Sequence, residues 1–325
     1  MKFRPPILAA LLALPFLMAG PAVHADGVYP SQPIRIISPH DPGSTTETFA
    51  RLLTTDMSVA LGQPIVIESH AGAAGTIGAN DVARAKPDGY TGLINASIQV
   101  MYPGMYKRLP FDTLRDFTPV GVFGFAPMVV VVGPGSKIKT FKDMIDFARA
   151  NPGKLSFASG GLGSLPHLVG EVVNERSQVR MQHIPYNGTG RALTDVMGHH
   201  VDILYASVAS VAEQIKGGKL RALAVTSARR VDLLPDVPTI AESGLPDFDV
   251  TSWYALWMPG NTPKPIVERV NAAMREVSAR PAVQERLRQN GIIPSTLTAE
   301  QFAAFCVSES ARWLDVMKRA KIEPN

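Results

Sequence analysis

Apolar residues recur along this chain in two alternating patterns. Short continuous runs read as buried strands, and longer runs with a period near 3.6 read as helices. Pro33 to Ser38 predicts a strand, and Glu47 to Leu61 predicts a helix. Between them lies His40-Asp41-Pro42-Gly43-Ser44-Thr45-Thr46. Its Ser and Thr residues suit a helix N-cap, and Gly62 suits a helix stop. Ile65 to Glu68 predicts a second strand. A glycine-rich turn from His70 to Gly75 follows, then a helix through Arg84 and a strand over Gly89 to Ala96.

The middle of the chain repeats this grammar. Strands are predicted at Met128–Val132, Leu155–Ala158, Met181–Pro185, Val201–Tyr205 and Leu220–Thr226. Helices are predicted at Thr140–Ala150, after Ser164, after Gly190 and at Ala209–Lys216. Pro265–Ala279, Pro281–Asn290 and Ala299–Ala320 read as helices. Strands alternating with such helices predict an α/β fold with a parallel sheet. Two apolar, extended stretches, Phe117–Phe125 and Val250–Trp257, are suited to crossing between two halves. The expectation is a discontinuous first lobe (26–124 and 253–325) and a continuous second lobe (125–252). A double crossing makes a hinge, and ligands favour clefts between domains.

The N-terminus carries a different pattern. Lys2 and Arg4 precede an apolar run from Ile7 to Met18, and Val23-His24-Ala25 is a small-x-small sequence. This predicts a secretory signal peptide over 1–25, cleaved after Ala25. The mature protein is then expected to be soluble and periplasmic, which argues against ATP- or NADPH-driven chemistry. No cysteine directly follows the apolar run, so a lipid anchor is not expected.

Composition adds little against that reading. The chain is 46% hydrophobic and 18% charged, ordinary for a protein with a substantial core. Its formal charge is +4, two of which belong to Lys2 and Arg4. With no block of like charge, nucleic acid is not an expected partner. Cys306 is the single cysteine, so no intrachain disulfide can form, and its helical context predicts a packed thiol.

The candidate chemistry lies in loops. Four times, at 39–46, 71–78, 160–167 and 186–190, a Gly/Ser/Thr loop leads from a strand into a helix. Helix N-termini carry free N–H groups and partial positive charge, so several facing one cleft would hold a small anion. Enzyme signatures are missing: no Gly-x-Ser-x-Gly, no His-Glu-x-x-His and no phosphate-binding GxxxxGK[ST] loop. No catalytic residue, metal ligand or cofactor is therefore assigned. His199 and His200 are adjacent and read as surface residues. His40 and His167 each have two readings, contact with an anion or a hydrogen bond to the protein itself. Trp253 and Trp257 share a strand face, which suits core packing, though one of Trp253, Tyr254 and Trp257 could wall a cleft.

These residues carry a family resemblance across nearly the whole mature chain. It rests on Tyr29-Pro-x-x-Pro-Ile34, Pro42-Gly43, Leu61-Gly62-Gln63-Pro64 and Gly72-Ala-Ala-Gly-Thr-Ile-Gly78. It continues in Lys86-Pro-Asp-Gly-Tyr-Thr91, Tyr186-x-Gly-Thr189 and Leu220-Arg-Ala-Leu-Ala-Val-Thr226. Leu234-Pro-Asp-Val-Pro-Thr239 and Gly260-x-Thr-Pro263 complete it. The chain closely resembles the Bug or TctC-like periplasmic solute-binding proteins of tripartite tricarboxylate transporters. The resemblance implies a two-lobed Venus flytrap with two crossing hinge strands. It also implies a small carboxylate ligand, membrane permease subunits as partners, and a monomer.

In that family, the first strand–helix loop and the Gly-Ser loop of the second lobe hold the ligand carboxylate, partly through ordered water. Carried over, the first loop supplies His40, Gly43, Ser44, Thr45 and Thr46, joined by Ala74 and Ser97. The second lobe supplies Gly163, Ser164, Leu165 and His167, then Tyr186, Asn187, Gly188 and Thr189. Ala206, followed by the candidate Ser207, stands where amino-acid-binding members tend to carry an Asp. An ammonium would lose its partner there, so the expected ligand is a dicarboxylate or aromatic carboxylate without an amine. This chain also departs from the usual Pro-Phe-x-Pro-Gly-Gly loop at His40 and Ser44, and has Glu47 for the following Asp. Two other functions fit the same residues: an adaptor for a membrane histidine kinase, and an extracytoplasmic hydrolase using Ser164 or His167.

Overall fold

A computed structural model describes residues 29–186 and 188–324. The expected signal peptide over 1–25 and the candidate Asn187 lie outside the described residues. Among those described, no helix is long and apolar enough to cross a membrane.

The first half begins as the sequence grammar predicts. β1 (Ile34–Ser38) leads to α1 (Thr45–Leu61), then β2 (Ile65–Ser69), α2 (Thr76–Ala83) and β3 (Thr91–Ala96). α1 starts two residues earlier than expected because Ser44 is the N-cap, its hydroxyl accepting the Glu47 N–H. Gly62 closes the helix in the left-handed region, where a Cβ would be strained. A short helix, α3 (Tyr102–Met105), follows.

β4 (Phe117–Val132) is sixteen residues long and absorbs both the first expected crossing and the strand predicted after it. Then come α4 (Phe141–Ala150), β5 (Ser156–Ser159), α5 (Leu165–Ser177), β6 (Gln182–Pro185) and α6 (Thr189–Met197). β7 (Ile203–Ser207), α7 (Val208–Lys216) and β8 (Arg221–Val225) complete the second half. The chain returns through β9 (Thr251–Pro259) to α8 (Lys264–Ser278), α9 (Pro281–Gln289), β10 (Ile293–Pro294) and α10 (Ala299–Arg319).

The strands run in the order β2-β1-β3-β9-β4-β7-β5-β6, with β8 and β10 also paired to β4. β1, β2 and β3 are parallel, as are β5, β6 and β7. The sheet is not parallel throughout, however. β9 runs antiparallel to β3 and β4, and β4 runs antiparallel to β7 and β8. Strands that carry the chain out and back must oppose each other, and the apolar pattern of each alone does not encode that.

β4 changes partners in mid-strand. Up to Pro127 it pairs with β9, and from Met128 it pairs with β7 and β8. Thr226 pins this handover. Its buried hydroxyl accepts the Met128 N–H at 3.1 Å and donates to the Val250 carbonyl at 2.6 Å. One side chain thus ties the outgoing strand to the returning one.

β9 shows the two-residue period directly. Trp253, Ala255 and Trp257 enter one core, while Tyr254, Leu256 and Met258 enter the other. The second core is closed by Phe49 and Leu53 of α1 and by Val267, Val270 and Met274 of α8. α10, capped by a reciprocal Thr298–Gln301 box, buries Phe302, Cys306, Trp313 and Met317 in the first core. Burial pushes the Cys306 thiol up to about 12, so it stays protonated. Near its end, Arg319 of α10 pairs with Glu175 of α5 at 2.8 Å, joining the halves at the surface.

Candidate functional site

A cleft of about 1020 Å³ opens at the C-terminal ends of β1 and β3. This is where open α/β sheets present ligand-binding loops. One wall is the loop Pro39–Thr46 with the turn around Gly72 and Gly75. The floor holds Ser97, Met101 and Tyr254. Ser164, Leu165 and Thr189 come from the other half of the sheet. Three helices, α1, α5 and α6, therefore begin on this cleft.

The first wall is partly self-satisfied. Gly43 donates its N–H to Glu47 Oε2 at 2.8 Å, and Arg51 Nε donates to Glu47 Oε1 at 3.0 Å. The Arg51 hydrogen bond, with help from Gly43, holds the Glu47 carboxyl below its usual range. Glu47 thus takes one loop donor for itself. Thr45 and Thr46 keep first-turn N–H groups with no partner inside the helix, plus two hydroxyls. Among the described residues no Lys or Arg lines the cleft, and Asp41, which is exposed, is the one carboxylate that does.

His40 sits on a buried polar network. Its Nε2 lies 3.1 Å from Asn95 Oδ1. Asn95 Oδ1 also accepts the Ala96 N–H at 2.8 Å, and Asn95 Nδ2 donates to Gln99 Oε1 and Tyr102 Oη. Tyr102 in turn donates to the Ala74 carbonyl at 2.9 Å, fixing the glycine-rich turn. Burial lowers the His40 pKa, and only partial compensation comes from Asn95 and Asp41.

The opposite wall rests on stacked histidines. His167 and His183 lie 3.7 Å apart at 13°. His167 Nδ1 accepts the Gly163 N–H at 3.0 Å, so His167 faces inward and supports the loop from below. Its open reading thus closes in favour of a backbone bond. His183 Nε2 meets Ser159 Oγ at 2.7 Å. Ser164 Oγ donates to the Gly161 carbonyl at 2.7 Å. Ser164 and His167 are thus engaged with backbone groups rather than with each other, and form no nucleophile–base pair.

Burial, then the neighbouring His167, pulls His183 down to about 4, with Glu171 opposing. An unfolded histidine titrates near 6.5. Between these values the unfolded chain binds a proton that the folded site refuses, so stability falls as pH drops below about 6.5. The ring is partly exposed, which screens the effect. We expect a loss of about 1 kcal/mol between pH 7 and pH 5, read by urea unfolding. His183→Gln should remove that loss; an identical pH profile in the variant would refute the assignment.

Of the candidate residues, His40, Gly43, Ser44, Thr45, Thr46, Ala74, Ser97, Ser164, Leu165 and Thr189 line the cleft. Gly163, His167, Tyr186, Gly188, Ala206 and Ser207 do not. Tyr186 donates to Asp195 at 2.6 Å beside a separate pocket of about 390 Å³. Ala206 is buried in β7, opposite Val129. Ser252 and Tyr254 line the cleft, whereas Trp253 and Trp257 are core. The two-residue period separates Tyr254 from its tryptophan neighbours, although it does not say which face meets the cleft.

Residues 49–322 match the family described as tripartite tricarboxylate transporter family receptor. The chain is 39% identical over 298 residues to a UPF0065 protein from a tcbD-tcbE intergenic region of Pseudomonas sp. strain P51. That match covers 91% of this chain and 89% of the relative. It is 35% identical over 315 residues to protein BugT of Bordetella pertussis, covering 96% of each. Among solved structures, the periplasmic binding protein BugD matches with a TM-score of 0.75 and 34% identity, over 91% of this chain and 100% of that one. An R. palustris protein solved with adipate matches with a TM-score of 0.79 and 30% identity, over 91% and 100%. MatC of Rhodopseudomonas palustris, solved with bound malate, matches with a TM-score of 0.72 and 30% identity, over 89% and 99%. With its two-lobed α/β fold and its cleft between sheet halves, this chain belongs to the tripartite tricarboxylate transporter receptor family.

Proposed function

We propose that this chain captures a small carboxylate without an amine in the periplasm, after signal-peptide cleavage, and delivers it as a monomer to membrane permease subunits. The observation that carries this reading is the cleft on which α1, α5 and α6 all begin, with no Lys or Arg lining it among the described residues. Such a site can hold a carboxylate through helix N–H groups and hydroxyls. Residues 26–124 with 253–325, and 125–252, act as the two lobes. They turn about the handover at Pro127–Met128 and the strand return near Thr226 and Val250. Closure would strip water from the carboxylate, strengthen its hydrogen bonds and favour the closed form. The relatives solved with adipate and malate support a dicarboxylate ligand.

The test is thermal unfolding of residues 26–325 against citrate, succinate, adipate, malate, terephthalate, aspartate and glutamate. An acid present at 100 times its dissociation constant should add about 2.7 kcal/mol. Stabilisation by amine-free acids supports the reading. A response to aspartate or glutamate alone would remove the restriction on amines, and no response at all would overturn the carboxylate ligand.

A further inference from the structure

We propose that His40 acts in the cleft as a hydrogen-bond acceptor, and that it selects acids bearing a hydroxyl group over their unsubstituted counterparts. This rests on the carboxylate reading above and adds a specificity-determining residue to it.

The argument starts from a donor whose direction is beyond doubt. The backbone N–H of Ala96 can only donate, and it meets Asn95 at 2.8 Å. The Asn95 atom facing it must therefore be the carbonyl oxygen. The other Asn95 atom, Nδ2, is then the donor to Gln99 Oε1 at 2.9 Å and to Tyr102 Oη at 3.2 Å. Tyr102 agrees with this assignment, because its own proton goes to the Ala74 carbonyl. His40 Nε2 lies 3.1 Å from that same Asn95 oxygen. Two acceptors cannot share a hydrogen bond, so Nε2 carries the proton.

That leaves Nδ1. In a neutral imidazole with its proton on Nε2, Nδ1 is a bare lone pair. Among the described residues nothing donates to it, and it is not sealed from solvent. His40 itself lines the cleft. The ring is held neutral by burial, and the groups bearing on it are Asp41, Asn95, Gln99 and Tyr102, of which only Asp41 is charged at neutral pH. A carboxylate oxygen placed against this lone pair would be repelled. A ligand hydroxyl would donate to it, and a site built to pair a hydroxyl discriminates against an analogue that lacks one. The ligand class is therefore a hydroxycarboxylate, its carboxylate on the helix N-termini and its hydroxyl on His40.

Titration calorimetry decides this with matched acids, malate against succinate and 2-hydroxyglutarate against glutarate, at pH 7.5 in phosphate and in Tris. The expected result is binding of the hydroxy acid at least about tenfold tighter, with no proton uptake. His40→Phe should bring the ratio close to one while unsubstituted acids still bind. His40→Gln can donate to Asn95 and still offer an oxygen, so it should keep part of the preference. A ratio near one in the native chain, or a ratio unmoved by His40→Phe, would overturn the proposal and leave the carboxylate reading standing. Uptake of about one proton with succinate, lost in His40→Phe, would show His40 acting as a donor instead and would also overturn it. If none of the four acids binds, this proposal falls, and the carboxylate reading is decided separately by the wider thermal-unfolding panel above.

Discussion

Trp253→Ala should cost about 3–5 kcal/mol of unfolding free energy, the range for removing a buried tryptophan. Trp253 is 0% exposed and packs against Trp257, Phe302 and Phe305, with ring centroids 5.8, 5.7 and 5.4 Å away. Its neighbours cannot close over the vacated space, because β9 is hydrogen-bonded to β3 on one side and to β4 on the other. The indole also lies 3.5 Å from Glu309 Oε2, which accepts the Trp313 N–H at 2.9 Å. The substitution therefore strips one donor from a buried carboxylate as well as opening a cavity. Trp253→Phe keeps most of the apolar area and should lose roughly half as much. Urea unfolding would show a lower midpoint at unchanged slope. A loss below about 1 kcal/mol would mean that this aromatic cluster does not close the core. Ligand affinity should move little, since the cleft is met by Tyr254 on the opposite face of the strand.

That contrast between adjacent residues shows what the sequence made legible. The period of two separates Trp253 and Trp257 from Tyr254 before any coordinates are known. Glycine, serine and threonine before an apolar period mark the starts of α1, α5 and α6, and those three starts do meet on the cleft. Each of these signals is local, because a cap and the helix it begins are neighbours in the chain. What was illegible depends on residues distant in sequence. His167 follows the Gly163-Ser164 loop and invites an anion contact. Its inward orientation is set by stacking on His183, which belongs to a different strand. The sequence offers Ala206 as a ligand position, but β7 pairing buries it opposite Val129. The antiparallel course of β4 and β9 follows from the chain leaving and re-entering one half, a property of topology and not of any apolar run. Glu47 stands where the family pattern has an Asp. Only the fold shows it capturing the Gly43 N–H that the loop would otherwise offer.

Asn95 is the residue where stability and recognition should fail together. It is 0% exposed, and its side chain joins His40, Gln99 and Tyr102 to the Ala96 backbone. Asn95→Leu fills a similar volume with no polar atom. Gln99 Oε1 and the Ala96 N–H then lose their partner, as does the His40 Nε2–H, and Gln99 Nε2 already has none. Each buried polar group left unpaired costs about 1–3 kcal/mol, so a total loss of about 2–4 kcal/mol is expected after partial relaxation. The recognition effect follows from the tautomer. Without Asn95 nothing holds the His40 proton on Nε2, so the ring is free to turn or to move its proton to Nδ1. Any preference for hydroxy acids should then collapse, although Thr45 and Thr46 still offer their donors to a carboxylate. Asn95→Asp separates the two effects. Its carboxylate accepts from Ala96 and His40 but cannot donate to Gln99 or Tyr102, and it should stabilise a protonated His40. The imidazole pKa should therefore rise in Asn95→Asp, and the cleft should begin to favour unsubstituted acids at neutral pH. Histidine NMR titration with calorimetry on the two variants reads both quantities. Unchanged stability in Asn95→Leu, or an unmoved His40 titration in Asn95→Asp, would show that this network neither supports the cleft wall nor sets the state of His40.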